Sequence, residues 1–287
     1  MKNEPKKYEE LTFTDDFIFC KILQNNEEVC KELLELILGK KIRFIHNPEN
    51  QKTIKITEDG KGIRLDIYVE DDETVVYDVE MQTSPKRNLA KRSRYYQGMI
   101  DLNLIEKGAD YNELKKSYVI FICTFDYFEK GLHKYTFSNR CHELPEIDLE
   151  DDTRKIFLNA AGTADDESED MKAFLNYLNN QKAENEFTKS IDKAVGDARN
   201  SEKWRIEYMT MHMRDWDMKA EGREEGRTEK LLTQICKKLA KNKSLQQIAD
   251  ELEEDEDTIR PLYEAAKAAA PEYDVDKIYD SLFSLKK

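Results

Sequence analysis

Apolar and polar residues alternate through two runs between Arg64 and Gln82, RLDIYVEDDETVVYDVEMQ, on either side of an acidic stretch. The β-branched and aromatic content predicts two antiparallel strands joined by a turn near Asp72 and Glu73. Side chains alternate faces along a strand, so Leu65, Ile67 and Val69 point one way and Arg64, Asp66 and Tyr68 the other. On the second strand Tyr77, Val79 and Met81 oppose Asp78, Glu80 and Gln82. That turn sets Asp66 nearly across from Glu80, with Gln82 one step further along the same face. Alternation alone favours a solvated outer face, which antiparallel strands commonly carry. Facing carboxylates destabilise a ladder by up to about 1 kcal/mol, and a divalent cation with oxygen ligands would relieve them.

Helical spacing precedes this hairpin. FTDDFIFCKIL predicts a helix capped by Thr14, Asp15 or Asp16, and a second runs from about Asn26 to Leu38 with Gly39 as its stop. Short β-prone pieces, KIRFI and KTIKI, are interrupted by Asn47 and Pro48, and an EDGKG turn leads into the hairpin. After it, Ser84 and Pro85 read as a helix start and Gly108 as its end. SYVIFICTF is a continuous apolar run, the mark of a strand buried on both faces. HKYTFSNRC and TRKIFLNAAG predict two further strands around an acidic loop. This order predicts an α/β fold, a mixed central sheet flanked by helices.

The composition shifts at DDESED, near Asp165. Residues 1–164 are expected to form the α/β core and residues 165–287 a helical C-terminal region. Phe187, Ile191, Trp204, Tyr208 and Met211 keep helical spacing between Glu186 and Met218. AEGREEGRTEKLLTQICKKLA reads as one helix running through Gly222 and Gly226, each costing about 1 kcal/mol against alanine. A short helical pair follows in SLQQIADELEEDEDTIRPLYEAAK. Its second helix opens on EDEDT, which would meet phosphates with carboxylates, so its expected role is structural.

The chain has 287 residues, 39% hydrophobic and 37% charged, with a formal net charge of −14. It is expected to be soluble and cytoplasmic: no run approaches a membrane span, and MKNEPKKYEE has no signal-peptide core. Its five cysteines show no CxxC spacing, which fits reduced thiols rather than a zinc site or disulfide framework. The acidity argues against a general nucleic-acid coat but allows a local basic groove. One is present: no acidic residue falls between Met81 and Ile100, whereas Lys86, Arg87, Lys91, Arg92 and Arg94 do, beside Tyr95 and Tyr96. Taken alone this segment reads as a solvated helix face with two amphipathic tyrosines; its position directly after the acidic strand raises the alternative of a helix that grips phosphates in the same cleft. No GxxxxGK[ST], GxGxxG or GxSxG motif points to a nucleotide cofactor or a serine nucleophile.

FTDDFIFCKIL, LDIYVED, VYDVEMQ, KRSRYYQGMI and EKGADYNELKKSYVIFICTFDYF, in that order, resemble the PD-(D/E)XK nuclease superfamily. Within it they are similar to the Rpn-type recombination-promoting nucleases, which also go under the transposase name. The likeness is close over residues 11–128 and looser to about 269. It implies a restriction-endonuclease-like core and Mg²⁺-dependent cleavage of DNA phosphodiesters, with Mn²⁺ as a substitute. By motif, Asp66 and Glu80 would be the metal ligands, and Gln82 stands where the motif's lysine belongs. Asp66, Glu80 and Gln82 would form the catalytic set, and either Asp15 or Asp16 would match an acid supplied by the first helix. Lys86, Arg87, Lys91, Arg92, Arg94, Tyr95 and Tyr96 would contact DNA, and the helical C-terminal region would offer a homodimer surface. A glutamine orients water by hydrogen bonding but brings no positive charge. That leaves two competitors: a nuclease-fold protein that binds DNA without cutting, and a helical assembly protein.

Overall fold

In the computed structural model, which describes residues 6–46, 48–54 and 63–283, the first two helices form where the apolar spacing places them. They are α1 (Asp16–Asn25) and α2 (Glu27–Leu38). Asn26 caps α2 by accepting the Val29 N–H at 3.1 Å, and Gly39 ends it at φ 66°, a conformation that side chains disfavour. Of KIRFI, Ile45 alone pairs, in an isolated bridge to Asp71. The EDGKG turn and the end of KTIKI lie outside the described residues.

Six strands make one sheet: β1 (Glu49–Ile54), β2 (Ile63–Glu70), β3 (Val76–Gln82), β4 (Ser117–Cys123), β5 (Lys134–Phe137) and β6 (Thr153–Asn159). Their order is β1-β2-β3-β4-β6-β5, with β3–β4 and β4–β6 parallel and the other pairs antiparallel. This is the mixed sheet flanked by helices that the sequence predicts. A buried aspartate holds the β2–β3 hairpin. Asp71 accepts the N–H groups of Glu73 (2.9 Å) and Val75 (3.0 Å) and the Tyr77 hydroxyl (2.6 Å), while Thr74 turns the chain at φ 62°. The register that results pairs Ile67 with Val79, and so sets Asp66 across from Glu80 as expected.

Helix α3 (Leu89–Leu104) makes the β3-to-β4 crossover. It starts five residues later than the Ser84 signal suggests. Strand pairing persists to Gln82, whose carbonyl accepts the Thr124 N–H. The Tyr127 hydroxyl then holds the helix entrance, donating to the Arg87 carbonyl (3.2 Å) and accepting the Ala90 N–H (3.4 Å). The helix also stops before Gly108, because Ile105 is already extended. Leu89, Met99 and Ile100 bury against Val76, Val119 and Phe121, which lays α3 over the sheet face carrying Asp78, Glu80 and Gln82. Helix α1 packs on β1 and β2.

The chain divides into two compact units between Tyr208 and Met209, not at the compositional break near Asp165. Helices α4 (Glu169–Asn180) and α5 (Glu186–Arg199) pack on α2, and α5 also packs on α1. Their buried faces, including Phe174, Leu178, Phe187 and Ile191, complete the first unit's core. The expected continuity from Glu186 to Met218 is broken at Asn200, and Ser201 caps a new helix, α6 (Glu202–Leu239), by accepting the Trp204 N–H at 3.3 Å.

In the second unit Leu232, Ile235 and Leu239 of α6 bury against α7 (Leu245–Leu252), α8 (Glu256–Ala268) and Ile278 of α9 (Val275–Phe283). Helix α9 has no counterpart in the sequence reading. Helix α6 does run through Gly222 and Gly226, and a Cβ added at either would meet nothing within 4 Å. Gly222→Ala should therefore raise stability by about 0.5–1 kcal/mol in urea denaturation. Among the described residues no helix is long and apolar enough to cross a membrane.

Candidate active site

Every residue of β3 is buried, the polar ones included. A strand reading VYDVEMQ is expected to show Asp78, Glu80 and Gln82 to water, yet they are 0%, 1% and 9% exposed. The solvated-face reading of the hairpin therefore fails. Helix α3 covers that face, and carboxylates held in such a place need a compensating charge or a proton.

At the hairpin's open end the two facing carboxylates each take an N–H from the other strand. Glu80 Oε1 accepts the Asp66 N–H at 2.9 Å, and Asp66 Oδ2 accepts the Met81 N–H at 3.1 Å. Burial, with the charges of Glu80 and Asp16 beside it, raises the Asp66 carboxyl to about 8. Burial likewise lifts Glu80 to about 7, against the opposing pull of the Asp66 N–H and of Arg92. Asp78 is raised well above the ordinary carboxylate range, first by burial and then by Glu80 and Asp66. Neither of its carboxylate oxygens has a hydrogen-bond partner among the described residues.

The two acids at the start of the first helix stand in different surroundings, and only Asp16 lines the cleft. Asp15 is tied into the entry loop, where one oxygen accepts the Thr12 N–H (2.7 Å), the Thr12 hydroxyl (2.9 Å) and the Lys6 ammonium (2.7 Å). Asp16 instead opens α1 at the cleft, where Arg64 lies 3.7 Å away and the Cys20 thiol donates to it at 3.6 Å. One ligand atom from each of Asp16, Cys20 and Asp66 lies within 4.8 Å of the others. The Glu80 carboxylate is not one of that group; its oxygens accept from the Asp66 N–H and from Arg92.

Arg92 is where the basic segment meets the acidic strand. Its guanidinium donates to Glu80 Oε2 (3.0 Å), Gln82 Oε1 (3.0 Å) and the Tyr96 hydroxyl (2.9 Å). It also lies over the Tyr96 and Phe121 rings, with centroids at 5.2 and 5.3 Å. The remaining basic and aromatic candidates are spread around this point. Lys86 lines the cleft from the 83–88 loop and Arg87 is exposed on it, whereas Lys91, Arg94 and Tyr95 lie on the exposed side of α3. Helix phase explains the split, since Leu89, Ser93, Gln97 and Ile100 form the buried stripe and only Arg92 and Tyr96 flank it on the cleft side.

Asp16, Arg64, Asp66, Glu80, Gln82, Lys86 and Arg92 together line an open cleft of about 410 Å³. A roomier groove of about 610 Å³ beside α2 is lined by Glu35, Lys41 and Asp170, where Lys41 pairs with Glu35 at 2.7 Å and Asp170 accepts from Asn185 at 2.9 Å.

The sequence profile of the PD-(D/E)XK nuclease family transposase matches residues 13–230, which takes in the whole cleft. The chain belongs to that family. No curated protein and no solved structure gives a match. For a PD-(D/E)XK member the fold is the restriction-endonuclease-like core with a helical C-terminal region, and the cleft lies where the motif falls. The sequence reading singled out neither Asp78, buried on the same strand face as Glu80, nor Cys20, which lies beside Asp16 and Asp66, and it gave Arg92 to DNA contact rather than to Glu80 and Gln82.

Proposed function

We propose that this PD-(D/E)XK protein is a Mg²⁺-dependent DNA endonuclease acting in the cytoplasm in DNA recombination or the movement of mobile elements. The observation that carries the reading is the facing pair of half-buried Asp66 and buried Glu80, opened to a cleft rimmed by Lys86 and Arg92. A hard divalent cation fits the carboxylate oxygens of Asp16 and Asp66, which converge there beside the Cys20 thiol, with Glu80 across the hairpin from Asp66. Burial and the neighbouring carboxylates raise Asp66, the mark of a charge without a compensating cation. Such a cation, Mg²⁺ or Mn²⁺ in its place, would polarise the phosphate and acidify an attacking water. In the hydrolysis a water oxygen forms a new bond to phosphorus, the bond to the leaving sugar oxygen breaks, and that oxygen takes up a proton. Lys86 on the cleft rim and the exposed Lys91 and Arg94 would hold flanking phosphates, giving affinity with little sequence preference.

Nicking of supercoiled plasmid tests the reading. The purified protein should nick with Mg²⁺ or Mn²⁺ and stop with EDTA, and Asp66→Ala and Glu80→Ala should be inactive but folded. Undiminished nicking by both variants would end it. Asp16→Ala should weaken Mn²⁺ binding about 10- to 100-fold with little change in stability. Asp15→Ala should do the reverse, lowering stability by about 1 kcal/mol with metal affinity kept.

A second reading, a DNA-binding protein that does not cut, is favoured by one observation. Arg92 already neutralises Glu80, and Gln82 adds no charge of its own. It predicts salt-dependent DNA binding that survives EDTA, with no nicking by any metal.

A further inference from the structure

Gln82 is not free to handle water, and that bears on what supplies the site's positive charge. Its amide is engaged at both ends: Nε2 donates to the Met81 carbonyl at 2.8 Å, and Oε1 accepts from Arg92 at 3.0 Å. The orientation is forced by chemistry, because a guanidinium only donates and a backbone carbonyl only accepts. Reversing the amide would set donor against donor and acceptor against acceptor. Gln82 is thus a fixed acceptor for Arg92, buried to 9% exposure.

Arg92 is held just as tightly. Three of its N–H groups are bonded to Glu80, Gln82 and Tyr96, and two aromatic rings lie against its plane. A guanidinium has five N–H donors in a rigid fork, so two remain beyond these three bonds. Its side chain is 23% exposed, and it lines the cleft beside Asp66 and Lys86. This is a preorganised cation whose remaining donors can meet the cleft. Such donors stabilise negative charge developing on a phosphoryl group without reorganising during reaction.

We infer that Arg92 is the catalytic cation of this site, donating to a non-bridging oxygen of the phosphate under attack, and that Gln82 is its positioning residue. The inference rests on the nuclease reading and deepens it. The positive charge comes from the helix, and the strand glutamine aims it rather than orienting water. The contact to Glu80 adds a second consequence. In the metal-free protein Arg92 competes with a divalent cation for Glu80 Oε2, so removing it should not weaken metal binding.

The test compares Arg92→Ala, Arg92→Lys and Gln82→Ala with the unaltered full chain. Single-turnover nicking of supercoiled plasmid in Mg²⁺ is read beside Mn²⁺ binding to the DNA-free protein by electron paramagnetic resonance. Arg92→Ala should nick about 100-fold more slowly or worse, with Mn²⁺ affinity unchanged or tighter. Arg92→Lys should recover about tenfold of that loss, since it keeps the charge without the fork. Gln82→Ala should lose about tenfold with Mn²⁺ binding intact, because Glu80 and Tyr96 still hold the guanidinium. If Arg92→Ala fails to fold, Arg92→Met, which can still pack on the two rings, carries the same comparison. Nicking at the unaltered rate by the Arg92 variants would overturn the inference. So would loss of Mn²⁺ binding together with activity, which would make Arg92 a brace for the carboxylates. An unaltered chain that binds Mn²⁺ but nicks nothing would instead sink the nuclease reading, and the inference with it.

Discussion

Asp66→Asn should nick plasmid at least about a thousandfold more slowly than the unaltered chain, yet melt at a higher temperature in EDTA. The first effect follows from removing a charged oxygen donor beside Asp16 and across the hairpin from Glu80, since metal-assisted hydrolysis draws several kcal/mol from that charge. The second follows from linkage. The Asp66 carboxyl is raised in the folded protein, so between its ordinary value and about 8 the folded state holds a proton that the unfolded chain has released. Stability therefore falls as pH rises through that interval, and the whole penalty is present above it. Asparagine keeps an oxygen to accept the Met81 N–H and removes the charge. At pH 8 the gain should be a readable rise in melting temperature. Saturating Mg²⁺ should narrow the gap, because a bound ligand at a hundred times its dissociation constant adds about 2.7 kcal/mol to the chain that binds it and less to a variant that has lost one of the ligands. A solvated acidic face would show neither the gain in EDTA nor the narrowing.

The hairpin register was legible in the sequence, and its burial was not. Alternation places Asp66 across from Glu80 because strand parity is rigid and the acidic turn limits the register. What alternation cannot supply is whatever lies over the polar face, and here that is α3, arriving from beyond the hairpin. The helix's own phase was hard to read for a related reason. Lys91, Arg92 and Arg94 cover most of its circumference, and the buried stripe that decides between them contains Ser93 and Gln97 rather than an apolar run. Both hydrogen-bond inside: Ser93 donates to the Ala90 carbonyl at 2.9 Å, and the Gln97 amide nitrogen to Ser117 at 2.6 Å, while Gln97 Oε1 has no partner among the described residues. Choosing Asp16 over Asp15 likewise needed the loop, since only the fold shows Thr12 and Lys6 claiming Asp15. The compositional break near Asp165 misplaced the unit boundary because composition registers polarity, whereas α4 and α5 join the first unit through apolar faces.

Metal affinity should climb steeply with pH across the neutral range. Asp66 at about 8 and Glu80 at about 7 still carry protons at pH 6, and Asp78 is raised as well. A divalent cation must displace such protons from the oxygens it takes. For one proton released per ion, affinity rises about tenfold per pH unit, or about 100-fold from pH 6 to pH 8. Mn²⁺ titrations at three pH values should show this slope, and calorimetry in buffers of different ionisation enthalpy should show the proton directly. Nicking at sub-saturating Mg²⁺ should follow the same curve. At saturating Mg²⁺ the curve should flatten, because a bound cation draws the carboxyls back down. Ordinary exposed carboxylates are already ionised at pH 5 and would give a flat affinity throughout. A flat result would therefore mean that α3 does not bury the pair in solution, and it would remove the physical basis for placing the metal at Asp66 and Glu80.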